Sequence, residues 1–430
     1  MNLTHTLLKI GHLGNLRKYM NNILQVFEYD TIRVADEDAL FENGIRVAIS
    51  ESEFKQLTKY HKEFSQYYSL SYRSIKFSFY VGIIQVGKLI IEVLPKVERN
   101  SNKSDWSKAL YKMIKISKDF RSKRGTHTNL HVKSGSILDL YFNEYLTEVE
   151  NILHVSLRKK YRFTATNRNS VKGKILFSKD IITNHSNKAK AYCYYQTYDV
   201  NHEMNKILKY ALELTESLTT SKKIKSRSRA LLLNFSDHIS DKPNLSSLDN
   251  VKTDRNTDYY ETGLSLAKMI INNHAPTLKA NNTNIISFMF DMNHLFEEFV
   301  YKALKRTLVN YRVERRMISY WNGKRLIPDI LLTNRNNEDD IIVLDTKWKI
   351  PKDNRPNDQD LRQIFTYNEY FKSKKGALLY PRTEDFKMIS EMFEEKDHNC
   401  SMIGLQFFNE HRELDLSCLA ESLKKDLDID

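Results

Sequence analysis

The chain has 430 residues, enough for two or three domains, and its 41% hydrophobic and 11% aromatic residues can fill their cores. It holds no run of about 18 apolar residues, so no membrane span is expected, and Met1-Asn2-Leu3-Thr4-His5 lacks the apolar stretch of a secretion signal. A formal charge of +13 favours a polyanionic partner such as nucleic acid. Cys193, Cys400 and Cys418 are scattered without a CxxC pair, which speaks against a zinc ribbon or disulfide framework and for reduced thiols in a cytosol. His127 and His131 share helical spacing but have no second ligand pair to complete a metal site.

In chain order, residues 1–100 read as a β-rich domain with one helical insert, Phe54 to Tyr68. Ile75 to Leu94 alternates and then runs apolar around Gly87-Lys88, the pattern of a β-hairpin, and Pro95 ends it. Inside it, Gly82 to Lys88 has the GxxxxGK spacing of a phosphate-binding loop. However, Leu89 stands where a Ser or Thr should ligate magnesium, and the following residues suit a strand rather than a helix. The chain is therefore not expected to bind a nucleotide itself.

Residues 101–280 read as a basic, mainly helical middle region. Lys108, Lys112 and Lys115 line one helix face, and Ile137 to Val155 is amphipathic. Basic blocks run from Arg158 to Lys174, interleaved with Tyr161 and Phe163, and from Lys222 to Arg229; such blocks neutralise phosphates without reading sequence. Helical patterns cover Asn201 to Leu233 and Asp258 to Asn272, with a polar loop from Asp237 to Asn256 and a boundary at Asn281 to Asn284. Residues 281–430 alternate helix and strands in an α/β order. The whole is thus expected to be a multidomain α+β or α/β chain.

The chemistry concentrates in this last segment. Asp291 is placed to cap a helix running to about Lys305, with Glu297 and Glu298 beside its apolar face. Strands are expected from Tyr311 to Ser319 and from Leu326 to Thr333, with a turn at Trp321 to Lys324 between them, and a central strand from Ile341 to Trp348. Residues i and i+2 of a strand face one side, so Asp345 and Lys347 project together, and a hairpin brings Asp329 beside them. Asp345 follows four apolar residues, and a charge at such a buried edge is costly unless paired or metal-bound. Two carboxylates can hold a divalent cation, and a nearby ammonium can help water attack a phosphodiester. Either Glu297 or Glu298 could add a ligand. Gln363 and Tyr367 lie one turn apart on a second helix, from about Asp360 to Phe371.

Pro328-Asp329, fifteen intervening residues and Asp345-Thr346-Lys347 resemble the signature of the PD-(D/E)xK nuclease superfamily. More narrowly, the chain resembles the McrC family, nuclease subunits of McrBC 5-methylcytosine restriction systems. The likeness rests on Tyr80 to Lys96, Gly173 to Leu176, Asn201 to Glu213, Phe290 to Glu297 and Asp360 to Tyr367, in order along the chain. It implies a C-terminal restriction-endonuclease-like domain with Glu297, Asp329, Asp345 and Lys347 at the catalytic centre. Gln363 and Tyr367 match the accessory QxxxY feature of some superfamily members. The resemblance further implies Mg2+, or Mn2+ in its place, held by Asp329, Asp345, Glu297 and the Thr346 carbonyl. It also implies DNA as substrate and an N-terminal part that docks on a GTP-driven AAA+ ring, McrB. Related systems of the LlaJI type use McrC-like subunits with other recognition partners, and a non-catalytic adaptor or a stand-alone nuclease are the competing expectations.

Overall fold

The computed structural model describes residues 22–96, 103–117, 137–236, 239, 242–275 and 285–429; His127 and His131 lie outside them. Contacts group the chain into two compact units, Met1–Phe120 with Ser287–Asp430, and Arg121–Ile286. Sequence pattern divides the chain near 100 and 280. In space the first and last segments meet, because apolar strands from both belong to one sheet.

In the first unit, β1 (Ile23–Phe27) precedes helix α1 (Glu51–Lys59). A capping box starts α1: Ser50 accepts from the Glu53 amide, and the Glu53 carboxylate accepts from the Ser50 amide. The expected helix to Tyr68 breaks at Tyr60, and Tyr68 already belongs to a strand. The reason is tertiary: Tyr68 is 1% exposed, and its hydroxyl donates to the Leu57 carbonyl at 2.8 Å. Strands β2 (Tyr80–Val86) and β3 (Leu89–Leu94) form the anticipated hairpin, with Gly82 opposite Val93 and Val86 opposite Leu89. The GxxxxGK stretch is therefore strand and turn. β3 pairs in parallel with β1, from Ile23 opposite Ile90 to Phe27 opposite Leu94. Every residue of β3 is buried, which is why it runs apolar rather than alternating. Helix α2 (Lys103–Ser117) follows.

The second unit holds helices α3 (Ile137–Val155), α4 (Glu203–Leu218), α5 (Lys222–Ser236) and α6 (Glu261–Asn272), which pack on one another. It is not helical throughout. The first basic block forms β4 (Lys160–Arg168), paired antiparallel with β5 (Ala191–Asp199), Lys160 opposite Asp199 and Arg168 opposite Ala191. Tyr161 and Phe163 are exposed on one face; Tyr161 lies 4.6 Å from Tyr198, and Phe163 stacks on Tyr194 at 5.1 Å. The second basic block lies in α5, where Arg227 pairs with Glu150 at 2.6 Å.

The chain returns to the first unit along β6 (Ile285–Asp291), which lies beside β2. The fit is close: a Cβ on Gly82, whose φ is +134°, would lie 2.0 Å from the Phe288 carbonyl oxygen. Asp291 caps α7 (Met292–Thr307) by accepting from the amides of Asn293 and His294. Then come β7 (Tyr311–Glu314), the hairpin β8 (Ile318–Trp321) and β9 (Lys324–Leu326), β10 (Ile330–Asn334) and β11 (Ile341–Thr346). Helix α8 (Asp358–Phe371) leads to β12 (Lys375–Pro381), and β13 (Ile389–Met392), β14 (Asn399–Leu405) and α9 (Leu416–Leu427) end the fold. The sheet order is β7-β10-β11-β12-β14-β13, with β10 antiparallel and β12 parallel to β11. The single strand expected from Tyr311 to Ser319 is divided: β7 joins this sheet, while β8 pairs with β9 in a separate two-stranded sheet. Val343 packs against Ile364, Tyr367 and Phe371 of α8, so the residues that alternate with it along β11 face that helix. Helices α7 and α9 also pack on this sheet, and α2 packs on α7. Among the described residues, no helix is long and apolar enough to cross a membrane.

Candidate active site

Two adjacent strand ends and one helix build the site. In the antiparallel pair β10–β11, Ile330 lies opposite Leu344. One step further places Asp329 opposite Asp345, on the α8 face of the sheet. Asp329 Oδ2 accepts from both the amide and the hydroxyl of Thr346, each at 2.7 Å, leaving Oδ1 to another partner. Asp345 is 1% exposed. Burial first, and the Asp329 charge next, push its carboxyl up from 3.8 to about 7, against the pull of Lys347. Lys347 Nζ lies 2.6 Å from Asp345 Oδ2, an ion pair between the two side chains.

Helix α8 supplies the rest. Asn357 starts it by accepting from the Gln359 amide, and Asp360, Ile364, Tyr367 and Phe371 form its buried stripe. Gln363 Oε1 accepts from Lys347 Nζ at 3.0 Å. Its Nε2 donates to the Tyr367 hydroxyl at 2.9 Å, and that hydroxyl donates to the Ile327 carbonyl at 3.0 Å. The chain of bonds thus runs from the lysine back to the segment that delivers Asp329. Lys347 also lies 3.7 Å from Asp360 Oδ1, while Asp360 Oδ2 pairs with Lys349. Burial works against the Lys347 charge, but Asp345 and then Asp360 outweigh it, so its pKa rises. Burial likewise raises the Tyr367 hydroxyl.

Glu297 stands apart from this group. Arg315 Nη2 holds its carboxylate at 2.9 Å, while Arg315 Nη1 pairs with Glu298. Burial, then the charge of Asp329, raise the Glu297 carboxyl, so it does feel the site. The His, Asp and Glu groups that come within 4.8 Å of one another among the described residues are His294, Glu297 and Glu298. Glu297, Asp329 and Asp345 do not close to that spacing.

The donor set nonetheless fits a hard divalent cation. The buried Asp345 carboxylate feels the charge of Asp329 beside it, and Lys347 pairs with Asp345. Sequence reasoning grouped Glu297 with Asp329, Asp345, Thr346, Lys347, Gln363 and Tyr367; the structure brings the last six side by side and leaves Glu297 on Arg315. It overlooked Asp360 and Arg315. Asp360 carried a signal, an acid in the first helical turn one turn before Gln363. Arg315 carried none, because its reach to Glu297 and Glu298 depends on where β7 ends.

A family model described as "McrBC 5-methylcytosine restriction system component" matches residues 75–381. The fold is similar to a chain in the refined half-complex from a tetradecameric assembly of Thermococcus gammatolerans McrB AAA+ hexamers with bound McrC. The TM-score is 0.66 at 16% identity, over 94% of this chain and 99% of that one. A chain of the T. gammatolerans McrBC complex, solved by electron cryomicroscopy, aligns over 67% of this chain and 89% of its own, at 16% identity and a TM-score of 0.48. No curated protein sequence matches. With more than half of its length matched in sequence and its α/β multidomain fold shared, the chain belongs to the family of McrBC 5-methylcytosine restriction system components.

Proposed function

We propose that the chain is the Mg2+-dependent DNA endonuclease subunit of a McrBC-like restriction system, and that residues 281–430 form a PD-(D/E)xK nuclease domain. The observation that carries this reading is the buried Asp345 carboxylate at the end of a central strand, facing Asp329 and in contact with Lys347. Asp329 Oδ1, Asp345 Oδ2 and the Thr346 carbonyl are the groups that would hold the cation. Bound there, Mg2+, or Mn2+ in its place, would polarise the scissile phosphate and acidify a water.

The protein's own contribution is arrangement and charge. Thr346 fixes the Asp329 carboxylate through two bonds, so one oxygen points away preset. Lys347 is steered by Gln363, itself braced by Tyr367, toward the place where the attacking water and the negative charge of the transition state develop. Were Asp345 to hold a cation, Asp360 and Gln363 would keep Lys347 charged and in place. Glu297, held by Arg315, would complete the shell or orient a water next to Asp329.

The family and the fold it shares with a protein solved with McrB AAA+ hexamers and bound McrC support a further part of the proposal. The chain docks on an AAA+ GTPase ring, which selects the DNA. We assign docking to its N-terminal part. Asp345→Asn should abolish Mg2+-dependent cleavage of methylated DNA while leaving ring binding intact. Cleavage at near wild-type rate by that variant would overturn the nuclease assignment. Efficient cutting with no ring or GTP present would instead favour a stand-alone nuclease.

A further inference from the structure

We propose that Glu28 is a positioning residue for this nuclease site: it fixes the Trp348 indole, and through that ring the backbone after Lys347 and the helix that carries Glu297. The inference rests on the nuclease reading above. Glu28 follows β1 and is 1% exposed. Its Oε1 accepts from Trp348 Nε1 at 2.7 Å and from the Lys96 amide at 2.9 Å. Its other bond, from Lys96, ties it to the end of β3, and a buried carboxylate is tolerated only where such donors meet it. A charged acceptor makes a shorter, stronger bond to an indole N–H than a neutral one.

What that bond orients is central to the site. Trp348 directly follows Lys347, whose own amide is tied to the Leu379 carbonyl at 2.8 Å. The Trp348 ring meets Phe296 edge-on at 5.1 Å, and Phe296 immediately precedes Glu297. It also lies 6.4 Å from Phe407 and 6.5 Å from Trp106. The indole is therefore a wedge between the end of β11 and the face of α7. Only its nitrogen reaches a polar partner, and that partner comes from the other end of the chain.

The test is a cycle on the full-length chain with Glu28→Ala, Trp348→Phe, their combination, and Glu28→Gln. Cleavage of 5-methylcytosine-containing plasmid is measured with Mg2+ and the ring partner, and thermal unfolding of the same proteins without either. Each single variant should lower kcat about tenfold with the KM for DNA unchanged, and the combination should fall no further than the worse single. Glu28→Gln should stay within about threefold of wild type, because its amide oxygen still accepts the indole N–H. Multiplicative losses in the combination, an unchanged kcat in Trp348→Phe, or a Glu28→Gln as slow as Glu28→Ala would overturn the proposal. If Glu28→Ala does not fold, Trp348→Phe and Glu28→Gln alone decide it. Absence of cleavage in wild type would refute the nuclease reading. The unfolding cycle would still judge Glu28: additive destabilisation there means that it does not act through Trp348.

Discussion

Replacing Asp345 by asparagine separates the charge of this side chain from its shape. In the folded chain the carboxyl is raised from 3.8 to about 7. It therefore binds its proton more tightly folded than unfolded, so stability falls as pH rises from about 4 to about 7 and stays low above that. The full shift corresponds to about 4 kcal/mol at pH 8, and to about 2 kcal/mol at pH 5, where the folded group is mostly protonated. Asparagine cannot ionise, and Lys347 keeps Gln363 at 3.0 Å and Asp360 at 3.7 Å. Without metal, Asp345→Asn should thus be the more stable protein at pH 8, by about 8 °C in Tm for a unit of this size, and by about half that at pH 5. Scanning fluorimetry in EDTA at both pH values measures this directly. Added Mg2+ should raise the Tm of wild type and leave that of the variant unchanged. A variant less stable than wild type at pH 8, or a difference independent of pH, would refute the account of Asp345 as a strained, buried charge awaiting a cation.

Tyr367→Phe removes the donor to Ile327 and the support of Gln363; about 1 kcal/mol of stability in urea unfolding and about tenfold in single-turnover cleavage should be lost. An unchanged rate would show that Gln363 needs no bracing. Glu297→Gln should raise the Mg2+ concentration for half-maximal cleavage about tenfold, while Glu298→Gln shifts it less than about twofold. Equal shifts would remove the distinction drawn from the influence of Asp329 on Glu297. Gly82→Ala should cost about 3 kcal/mol or more, since its methyl would collide with the Phe288 carbonyl at a positive φ. A loss below about 1 kcal/mol would contradict the close approach of β2 and β6.

Local pattern made much of this readable. Spacing of two along one strand set Asp345 and Lys347 on one side, a helical turn aligned Gln363 with Tyr367, and Asp291 marked a helix start that the structure keeps. The helix from Ile137 to Val155 follows its apolar periodicity and ends where that periodicity does. What escaped was decided by distant partners. Tyr68 leaves its helix for a strand because its hydroxyl finds Leu57. The stretch from Tyr311 to Ser319 splits because β7 and β8 pair with different strands. The period-two pattern of Tyr161 to Asn167 did signal a strand, but its lysines and arginines drew attention to charge instead. Glu297 illustrates the limit most clearly: its position along the chain is legible, but the grip of Arg315 on its carboxylate is not.

The pairing of β6 with β2 has a consequence for biosynthesis. One edge of the N-terminal sheet stays without its neighbour until on the order of 200 further residues have left the ribosome, which takes tens of seconds at ordinary elongation rates. Throughout that interval the apolar hairpin presents open backbone groups that a second nascent chain could seize. Slower synthesis or a truncated message should therefore yield aggregates seeded by this hairpin, and extra chaperone capacity should lessen them.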